Sequence, residues 1–322
     1  MRKTESGTYT NKSIKRKTFN KTAFEDNFEL LLLALPGIIL TFIFCYLPMG
    51  GIIIAFKNFN PNLGILASKW VGFDNFKFFF TSNDFFRIMR NTLGYSITFL
   101  FLDNVVAIAL AIMLYNVQKR AAIKYYQTTM ILPNFMSMVL VAYVVYAILN
   151  PTSGILNSIL SLFAGEKVSI QWYGKPGYWP FILTIVQIWK SVGMKTIIYY
   201  AALMGIDEAL FEAARIDGAT QKDEIRYIII PELGSIICIY LIMGVGGLVG
   251  GDFGLFYQVP MNIGVLYPTT DIISTYVFRA LQDGTNMGRT AAVGLFQSVT
   301  GTILVIISNA VVKKIDPDKS MF

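Results

Sequence analysis

Histidine is absent from this chain of 322 residues, and charged residues make up only 15% of it. The lack of histidine removes the commonest zinc ligand and the usual general base together. The sequence also lacks the Gly-x-x-x-x-Gly-Lys-Ser/Thr loop that binds nucleotide phosphates, because Lys190 and Lys195 each follow a residue other than glycine. We therefore expect no catalytic, metal or cofactor site in this chain, and no ATP hydrolysis by it.

Cysteine is scarce as well, with Cys45 and Cys238 as its two occurrences. Both lie inside long apolar runs, where a free cysteine behaves as a small packing residue. The sequence therefore predicts no disulfide.

The scarcity of charge accompanies a hydrophobic content of 54%. Soluble domains carry roughly a quarter charged residues and arrange their apolar residues as periodic faces. Here the apolar residues form runs of about 20 or more, the length that a helix needs to cross a bilayer. The runs are Leu30–Phe56, Thr92–Tyr115, Thr128–Leu149, Pro180–Ile206, Tyr227–Val249 and Thr290–Val312. They predict an all-α integral membrane protein with six transmembrane helices.

The distribution of basic residues predicts the side on which the termini lie. Residues 1–28 hold seven basic side chains against three acidic ones, and the loop 116–127 holds three basic and no acidic ones. Six spans place both ends on one side, so we predict that both termini are cytoplasmic. Five basic residues in the loop 57–90 oppose this assignment, but the short loop and the amino-terminal cluster carry more weight.

The net charge of +7 lies mainly in the amino-terminal tail and beside helix ends. Anionic membrane lipid accounts for a charge in those places, so lipid is an expected partner and nucleic acid is not.

Four segments follow from this pattern. They are a basic cytoplasmic tail 1–28, a first helix with an external interfacial segment 29–90, a five-helix core 91–314 and a cytoplasmic C-terminal tail 315–322.

Three further features of the sequence carry predictions. Aromatic stretches at 70–80 and 84–90 predict short helices at the headgroup level, with a sugar-stacking surface as the alternative. A helix on the outer face is expected over 272–281. Gly246, Gly250 and Gly254 recur at intervals of four, which predicts close helix packing or, alternatively, a helix break.

The longest cytoplasmic loop, residues 206–231, predicts a helical hairpin. Asp207 and Glu208 favour a helix start, and Gly218 supplies the left-handed residue that commonly ends a helix. Thr220 with Asp223 has the pattern of a capping box for a second helix.

The first helix of this hairpin also has the features of a docking surface. Its alanines are small enough for another protein's backbone to approach, and charged residues surround them. The small residues are Ala209, Ala213 and Ala214, and the charged residues at the rim are Glu212, Arg215 and Asp217.

The same residues resemble a family signature. Glu212-Ala-Ala, three residues, Gly218, nine residues and Ile228-Ile-Ile-Pro231 follow the pattern of binding-protein-dependent ABC permeases, with Ile230 in place of the usual leucine. Weaker motifs resemble the carbohydrate-uptake branch and its polysaccharide and complex-oligosaccharide subgroup. They are Asn91-Thr92, Leu132-Pro133, Trp189–Gly193, Ile206-Asp207 and Thr275–Arg279.

The resemblance implies the type I ABC importer permease fold in a bacterial cytoplasmic membrane. It also implies that the helix over 208–217 is a coupling helix that sits in a cleft of a cytoplasmic ATPase. The coupling residues that it implies are Glu212, Ala213, Ala214, Arg215, Asp217, Gly218 and Pro231. The implied partners are two such ATPase subunits, which bind ATP and Mg, a second permease subunit and an extracytoplasmic solute-binding protein. The chain itself would be a transport subunit that moves oligosaccharide inward by alternating access.

Polar residues at membrane depth are costly and usually face a bundle interior or a water-filled cavity. The candidates for a substrate pathway are Asp103, Asn104, Gln187, Trp189, Lys190 and Gln297. Gln187, Trp189 and Lys190 together offer hydrogen-bonding groups and an aromatic face to a sugar. The alternative is that Asp103 pairs with Lys190 or Lys195, or that these residues cap broken helices.

Two other functions stay open. One is a permease for a non-sugar solute, such as a phosphorylated polyol or a polyamine. A polyamine pathway should be lined with carboxylates, and Asp103 is the main carboxylate within the runs. The other is a non-transporting membrane scaffold, for which the loop motif would be a coincidence.

Overall fold

The structure, a computed structural model, describes residues 21–282, 284 and 287–321. Most of the predicted tail 1–28 and Phe322 of the predicted C-terminal tail lie outside the described residues.

The described chain is mostly helical. The first half contains α1 (Lys21–Thr41), α2 (Gly64–Ala67), α3 (Asp74–Phe80), α4 (Phe85–Tyr115), α5 (Arg120–Ile131), α6 (Met138–Leu149), α7 (Ile155–Ala164) and α8 (Trp179–Leu203). The second half contains α9 (Glu208–Ile216), α10 (Gln221–Glu224), α11 (Ile230–Glu232), α12 (Gly234–Gly246), α13 (Phe253–Gln258), α14 (Tyr267–Thr270), α15 (Ile273–Gln282) and α16 (Met287–Ile315).

Shorter elements complete the fold. Within the described ranges, β structure is limited to the antiparallel pair β1 (Lys57–Asn58) and β2 (Lys69–Trp70), in which Lys57 lies opposite Trp70. The π turns are Phe42–Tyr46 and Ile225–Ile229. The 3-10 segments are Leu47–Phe56, Leu132–Phe135, Trp172–Gly174, Pro176–Tyr178, Gly264–Leu266 and Pro317–Lys319.

Length and composition identify candidate membrane spans among the described residues. Four continuous helical segments qualify: Leu30–Phe56, Phe85–Tyr115, Pro176–Leu203 and Met287–Ile315. Two further segments are bent pairs, Arg120–Phe135 with Met138–Leu149 at 101° and Gln221–Glu232 with Gly234–Gly246 at 60°. The fold therefore has four candidate spans, or up to six if each bent pair is one span.

The bend within 128–149 departs from the uninterrupted helix that the apolar run suggests. Pro133 lies in a 3-10 turn, and the backbone is extended at Met136 and Ser137. Proline cannot donate a helical hydrogen bond, which favours a break at this point. Ser137 then caps a new helix by accepting a hydrogen bond from the amide of Leu140 at 3.2 Å. Helix α6 thus restarts in a different direction.

The predictions of short helices outside the spans are confirmed in two places and wrong in one. Helix α3 confirms a short helix within 70–80, and α15 confirms the helix over 272–281. The prediction of a separate helix over 84–90 is wrong, because these residues cap and begin α4. No glycine or proline interrupts the first two turns of α4, so the helix continues into the apolar run.

The chain divides into two compact units, residues 1–52 and 53–322. The first unit is helical where it is described, with α1 passing into the π turn Phe42–Tyr46. Within the second unit, α4 packs against α8, and Ala107 and Ala111 are buried together with Val192 and Tyr199.

Helices α12 and α16 meet in backbone contact. A Cβ added to Gly301 would lie 2.6 Å from the carbonyl oxygen of Gly246, so a larger residue does not fit there. This contact confirms the close packing predicted at Gly246. Helix α12 ends at Gly246, and both Gly250 and Gly254 lie beyond it, so the predicted helix break is also present.

Candidate functional site

The signature hairpin, residues 206–231, begins with the predicted helix. Asp207 caps α9 by accepting a hydrogen bond from the amide of Ala209 at 3.0 Å. The helix ends at Ile216, and Gly218 follows with φ +82°. Side chains rarely adopt this left-handed backbone conformation, so the glycine allows the chain to turn.

The second arm of the hairpin starts at the predicted capping box. The amide and the hydroxyl of Thr220 both donate to Asp223, at 2.9 and 2.6 Å. These hydrogen bonds hold the pKa of Asp223 below its usual value, with the bond from the Thr220 hydroxyl as the largest cause. The chain then passes through α10 and a π turn into α11, which contains Pro231 in its first turn.

An ion pair joins the two arms. Arg215 Nε lies 2.7 Å from Glu224 Oε1, and the Arg215 side chain is 60% exposed. The hydrogen bond to Glu224 raises the pKa of Arg215 above its usual value. Arg215, predicted as a docking contact, therefore also links the two arms of the hairpin.

One side chain anchors the hairpin to the helices around it. Phe211 is only 2% exposed and its ring lies 6.1 Å from that of Tyr115, at the end of α4. Ala209, Glu212 and Ala213 are exposed in the same helix. The anchored helix thus presents small and charged side chains on its free surface.

The polar residues within the spans form a cluster around Asp103. Lys195 Nζ lies 3.1 Å from Asp103 Oδ2, and Gln187 Nε2 donates to the same oxygen at 3.3 Å. The Asp103 side chain is 3% exposed, and its Oδ1 has no hydrogen-bond partner in the described part of the chain. The structure therefore contains the predicted pairing of Asp103 with a lysine, and the lysine is Lys195.

Asn104 makes separate contacts beside this cluster. It donates to the Leu100 carbonyl at 2.6 Å and accepts a hydrogen bond from the Tyr199 hydroxyl at 2.8 Å. It thereby ties α4 to α8.

A cavity of about 290 Å³ borders Asp103 and Lys195. Ser96 and Asp252 add polar groups to its wall, and Tyr95, Phe99 and Phe256 add aromatic ones. This combination of hydrogen-bonding and aromatic groups suits a polar organic solute.

Lys190 lies apart from Asp103 and caps the broken helix. Its Nζ donates to the carbonyls of Met136 at 2.7 Å and Asn134 at 3.2 Å, with Pro133 at 3.5 Å. These carbonyls are freed where the chain leaves its helical path before α6. The predicted capping role of a lysine is thus present at Lys190.

The other two pathway candidates lie elsewhere. Trp189 is 44% exposed, and Gln297 donates to the Val249 carbonyl at 3.2 Å beyond the end of α12. The structure therefore brings Asp103 and Gln187 into contact, with Asn104 adjacent in sequence, and leaves Trp189, Lys190 and Gln297 in other environments.

A buried carboxylate that sequence reasoning missed is Asp271. Its side chain is fully buried and pairs with Arg87 at 3.0 Å and with Arg279. Arg87 also binds Asp84 at 2.9 Å. A carboxylate directly before the predicted helix 272–281 was the available signal, but its arginine partner in α4 lies 184 positions away.

Residues 103–318 match the family model described as the binding-protein-dependent transport system inner membrane component. The matched range contains the Asp103 cluster and the whole signature hairpin. The chain belongs to this family. The chain is therefore a transport subunit and not a catalytic one.

Two relatives from Bacillus subtilis are similar to this chain over nearly its whole length. It is 34% identical over 293 residues to Protein LplB of Bacillus subtilis, across 90% of each chain. It is 35% identical over 289 residues to the polygalacturonan/rhamnogalacturonan transport system permease protein YteP of the same organism, across 88% of each chain.

A solved structure has the same fold. It is a chain from the bacterial alginate ABC transporter in complex with an alginate pentasaccharide-bound periplasmic protein. The TM-score is 0.82 at 32% identity, and the likeness covers 91% of this transport component and 97% of that chain.

Proposed function

We propose that this chain is the membrane-spanning permease subunit of an ATP-driven importer of oligosaccharides. The observation that carries the proposal is the anchored, capped helix α9, whose exposed Ala209, Glu212 and Ala213 offer a contact surface in a chain of this transport family. A separate ATPase docks on this surface, and its closure on ATP moves the membrane helices between inward-open and outward-open states.

The proposed topology counts each bent pair as one span, with the polar starts of the two pairs, 120–127 and 221–226, on the cytoplasmic side of the membrane. Six spans then leave both termini in the cytoplasm together with the signature hairpin, in the cytoplasmic membrane of a bacterium. The basic loop 116–127 and the hairpin lie on the same side in this arrangement. The contact of Phe211 with Tyr115, close to that loop, supports this placement.

The proposed assembly contains a second permease subunit, two ATPase subunits that bind ATP and Mg, and an extracytoplasmic solute-binding protein. The likeness to a permease of an importer crystallised with a periplasmic protein supports these partners. The names of YteP and of the alginate transporter support an oligosaccharide as cargo, since each states a polysaccharide or an oligosaccharide derived from one.

The proposed pathway runs beside the Asp103 cluster. The cavity of about 290 Å³ lies at the low end of the volume of small-molecule sites, so it suits a single sugar unit. Asp103 Oδ1, which has no partner among the described residues, accepts a hydrogen bond from a sugar hydroxyl, and Gln187 donates to the other oxygen of the same carboxylate. Asn104, Trp189, Lys190 and Gln297 stay candidates for contacts farther along the pathway.

The test is ATP-dependent uptake into proteoliposomes that contain all partner subunits. Labelled galacturonan, alginate and neutral oligosaccharides are supplied with the binding protein. Gly218→Pro abolishes uptake because proline cannot adopt the left-handed backbone, and Glu212→Lys abolishes it by reversing a charge on the docking surface. Both variants still enter the membrane.

Gly218→Asn is the matched control. Asparagine tolerates the left-handed conformation better than other side chains, and a Cβ at this position meets nothing within 4 Å. This variant retains most of the uptake. Normal uptake by both Gly218→Pro and Glu212→Lys contradicts the coupling role, and the absence of any oligosaccharide uptake by the unaltered complex contradicts the cargo.

A further inference from the structure

A second cavity, here called the Arg289 cavity, lies at the start of α4 and α16. Its volume is about 310 Å³, and its wall includes Arg87, Arg279 and Arg289 together with Asp84 and Asp271. Helix α4 has 31 residues, so the cavity lies at the opposite end of this helix from the contact of Tyr115 with the signature hairpin.

The described side chains of the cavity carry more positive than negative charge. Asp271 is held by Arg87 and Arg279, and Asp84 is held by Arg87. Arg289 stacks on the ring of Phe78 at 3.7 Å and has no ion pair among the described residues. Among the residues that the structure describes, three guanidinium groups of the cavity therefore face two carboxylates.

Two hydrogen-bond donors of the cavity also lack partners. Arg87 Nε and the hydroxyl of Thr290 are buried and make no hydrogen bond within the part of the chain that the structure describes. Thr290 as a residue is only 6% exposed. Unmade hydrogen bonds on buried groups are costly, so an acceptor bound at this place would stabilise the protein. Arg289 lines the same cavity and its guanidinium supplies further donors, so the wall of the cavity suits an anion with several oxygens.

The surroundings of the cavity identify the source of that anion. Arg87 and Thr290 lie in the first turns of two candidate membrane spans, which is the level of lipid headgroups. Exposed aromatic rings flank the same region: Phe78 at 42%, Phe80 at 45% and Phe86 at 81%. Aromatic side chains are enriched at membrane interfaces, and arginine binds phosphate through several N–H groups at once.

We propose that the Arg289 cavity binds the phosphate of a phospholipid headgroup. Arg289 and Thr290 donate to the phosphate oxygens from the first turn of α16, where the helix dipole adds to the attraction. The acyl chains then lie along the exposed aromatic rings. This site does not depend on the identity of the transported solute.

The test is native mass spectrometry of the full chain purified with its partner subunits and stripped of lipid. Phosphatidylglycerol is compared with diglucosyl diacylglycerol, which has the same chains without phosphate, and glycerol phosphate is added as a competitor without chains. We expect one saturable site for phosphatidylglycerol, little binding of the glycolipid at the same concentration, and no displacement by equimolar glycerol phosphate.

Variants assign the binding to the cavity. Arg289→Gln weakens phosphatidylglycerol binding by roughly tenfold, as the loss of a charge-assisted hydrogen bond implies, and Thr290→Val weakens it by a smaller factor. Lys175→Gln, an exposed cation that is not part of the cavity, leaves binding unchanged. Thr290→Val keeps the shape of the side chain, so it reports on the hydroxyl even if an arginine variant folds poorly.

Three results overturn the proposal. The first is equal binding of phosphatidylglycerol and the glycolipid, which excludes recognition of phosphate. The second is displacement of the lipid by equimolar glycerol phosphate or by a galacturonan trisaccharide, which assigns the cavity to a soluble anion. The third is binding by Arg289→Gln and Thr290→Val that equals that of the unaltered chain.

Discussion

The signature hairpin and the Asp103 cluster hold their charged groups in opposite ways. In the hairpin, Arg215 and Glu224 are nine positions apart, and Thr220 and Asp223 are three apart. In the cluster, Asp103 meets Lys195 and Gln187 from 92 and 84 positions away. The hairpin is organised by its own sequence, whereas the cluster exists only when α4 and α8 are packed together.

The two regions also differ in their exposure to solvent. Arg215 is 60% exposed, whereas Asp103 is 3% exposed and Lys195 is 23% exposed. Exposed ion pairs contribute little to stability, while removal of one member of a buried pair leaves an uncompensated charge. Equivalent substitutions in the two regions should therefore have very different effects.

The largest expected effect is that of Asp103→Ala. It leaves Lys195 without its carboxylate and should lower the free energy of unfolding by about 3–5 kcal/mol. Thermal unfolding of the detergent-purified complex measures the change. The double variant Asp103→Ala/Lys195→Met removes both charges and should recover much of the loss. Equal destabilisation by the single and the double variant would contradict the ion-pair account.

The next effect is that of Lys190→Met, which removes the ammonium group from three backbone carbonyls at the bend before α6. The loss should be about 1.5–3 kcal/mol, the range for hydrogen bonds to charged groups. Thermal unfolding measures it, and uptake assays on the same variant separate the two roles. If Lys190 only caps the broken helix, the variant loses stability and keeps the same preference among oligosaccharides. A changed preference without loss of stability would place Lys190 at the substrate.

A packing variant tests the contact between α5 and α8. A Cβ at Gly193 would lie 1.9 Å from the Met130 carbonyl oxygen, so Gly193→Ala forces the backbones apart and should cost about 1–3 kcal/mol. Gly94→Ala is the matched control, because a Cβ at Gly94 in α4 meets nothing within 4 Å. Thermal unfolding should show a loss for Gly193→Ala alone, and equal effects of the two variants would argue against the close contact.

The smallest effect concerns the pH dependence of the hairpin. Because the pKa of Asp223 is lowered in the folded chain, its contribution to stability is complete above its unfolded value, about 3.9, and is lost as the pH falls through the lower folded value. The capping box should therefore persist at pH 5. Hydrogen exchange of the amides in 220–224, corrected for intrinsic rates, checks this.

Asp223→Asn should speed this exchange at neutral pH, whereas Asp217→Asn in the same hairpin should not. The Asp217 carboxylate makes no hydrogen bond or ion pair with the described residues, so its loss removes no cap. Faster exchange in the Asp217 variant as well would mean that net charge, and not the capping box, orders the second arm.

The sequence predicted the parts of the molecule that depend on local chemistry. Asp207, Gly218 and the Thr220 capping box all lie where their conformational preferences place them, and most apolar runs appear as long helices. The bend near Pro133 was not predicted, because the run 128–149 is long and apolar enough for a single crossing despite the polar residues Asn134 and Ser137. The partner of Asp103 was left open between two lysines, since only the packing of α4 on α8 brings Lys195 within reach. Asp271 was not predicted as a site residue, because its partner Arg87 is also distant in the sequence.

Site-specific photo-crosslinking tests the central claim most directly. A benzophenone side chain at Ala213, on the exposed surface of α9, is compared with one at Leu162, which is 83% exposed in α7. The account predicts a cross-link from position 213 to the ATPase subunit, with a yield that changes when ATP is added, and none from position 162. No ATPase cross-link from position 213, or equal yields from both positions, would contradict it.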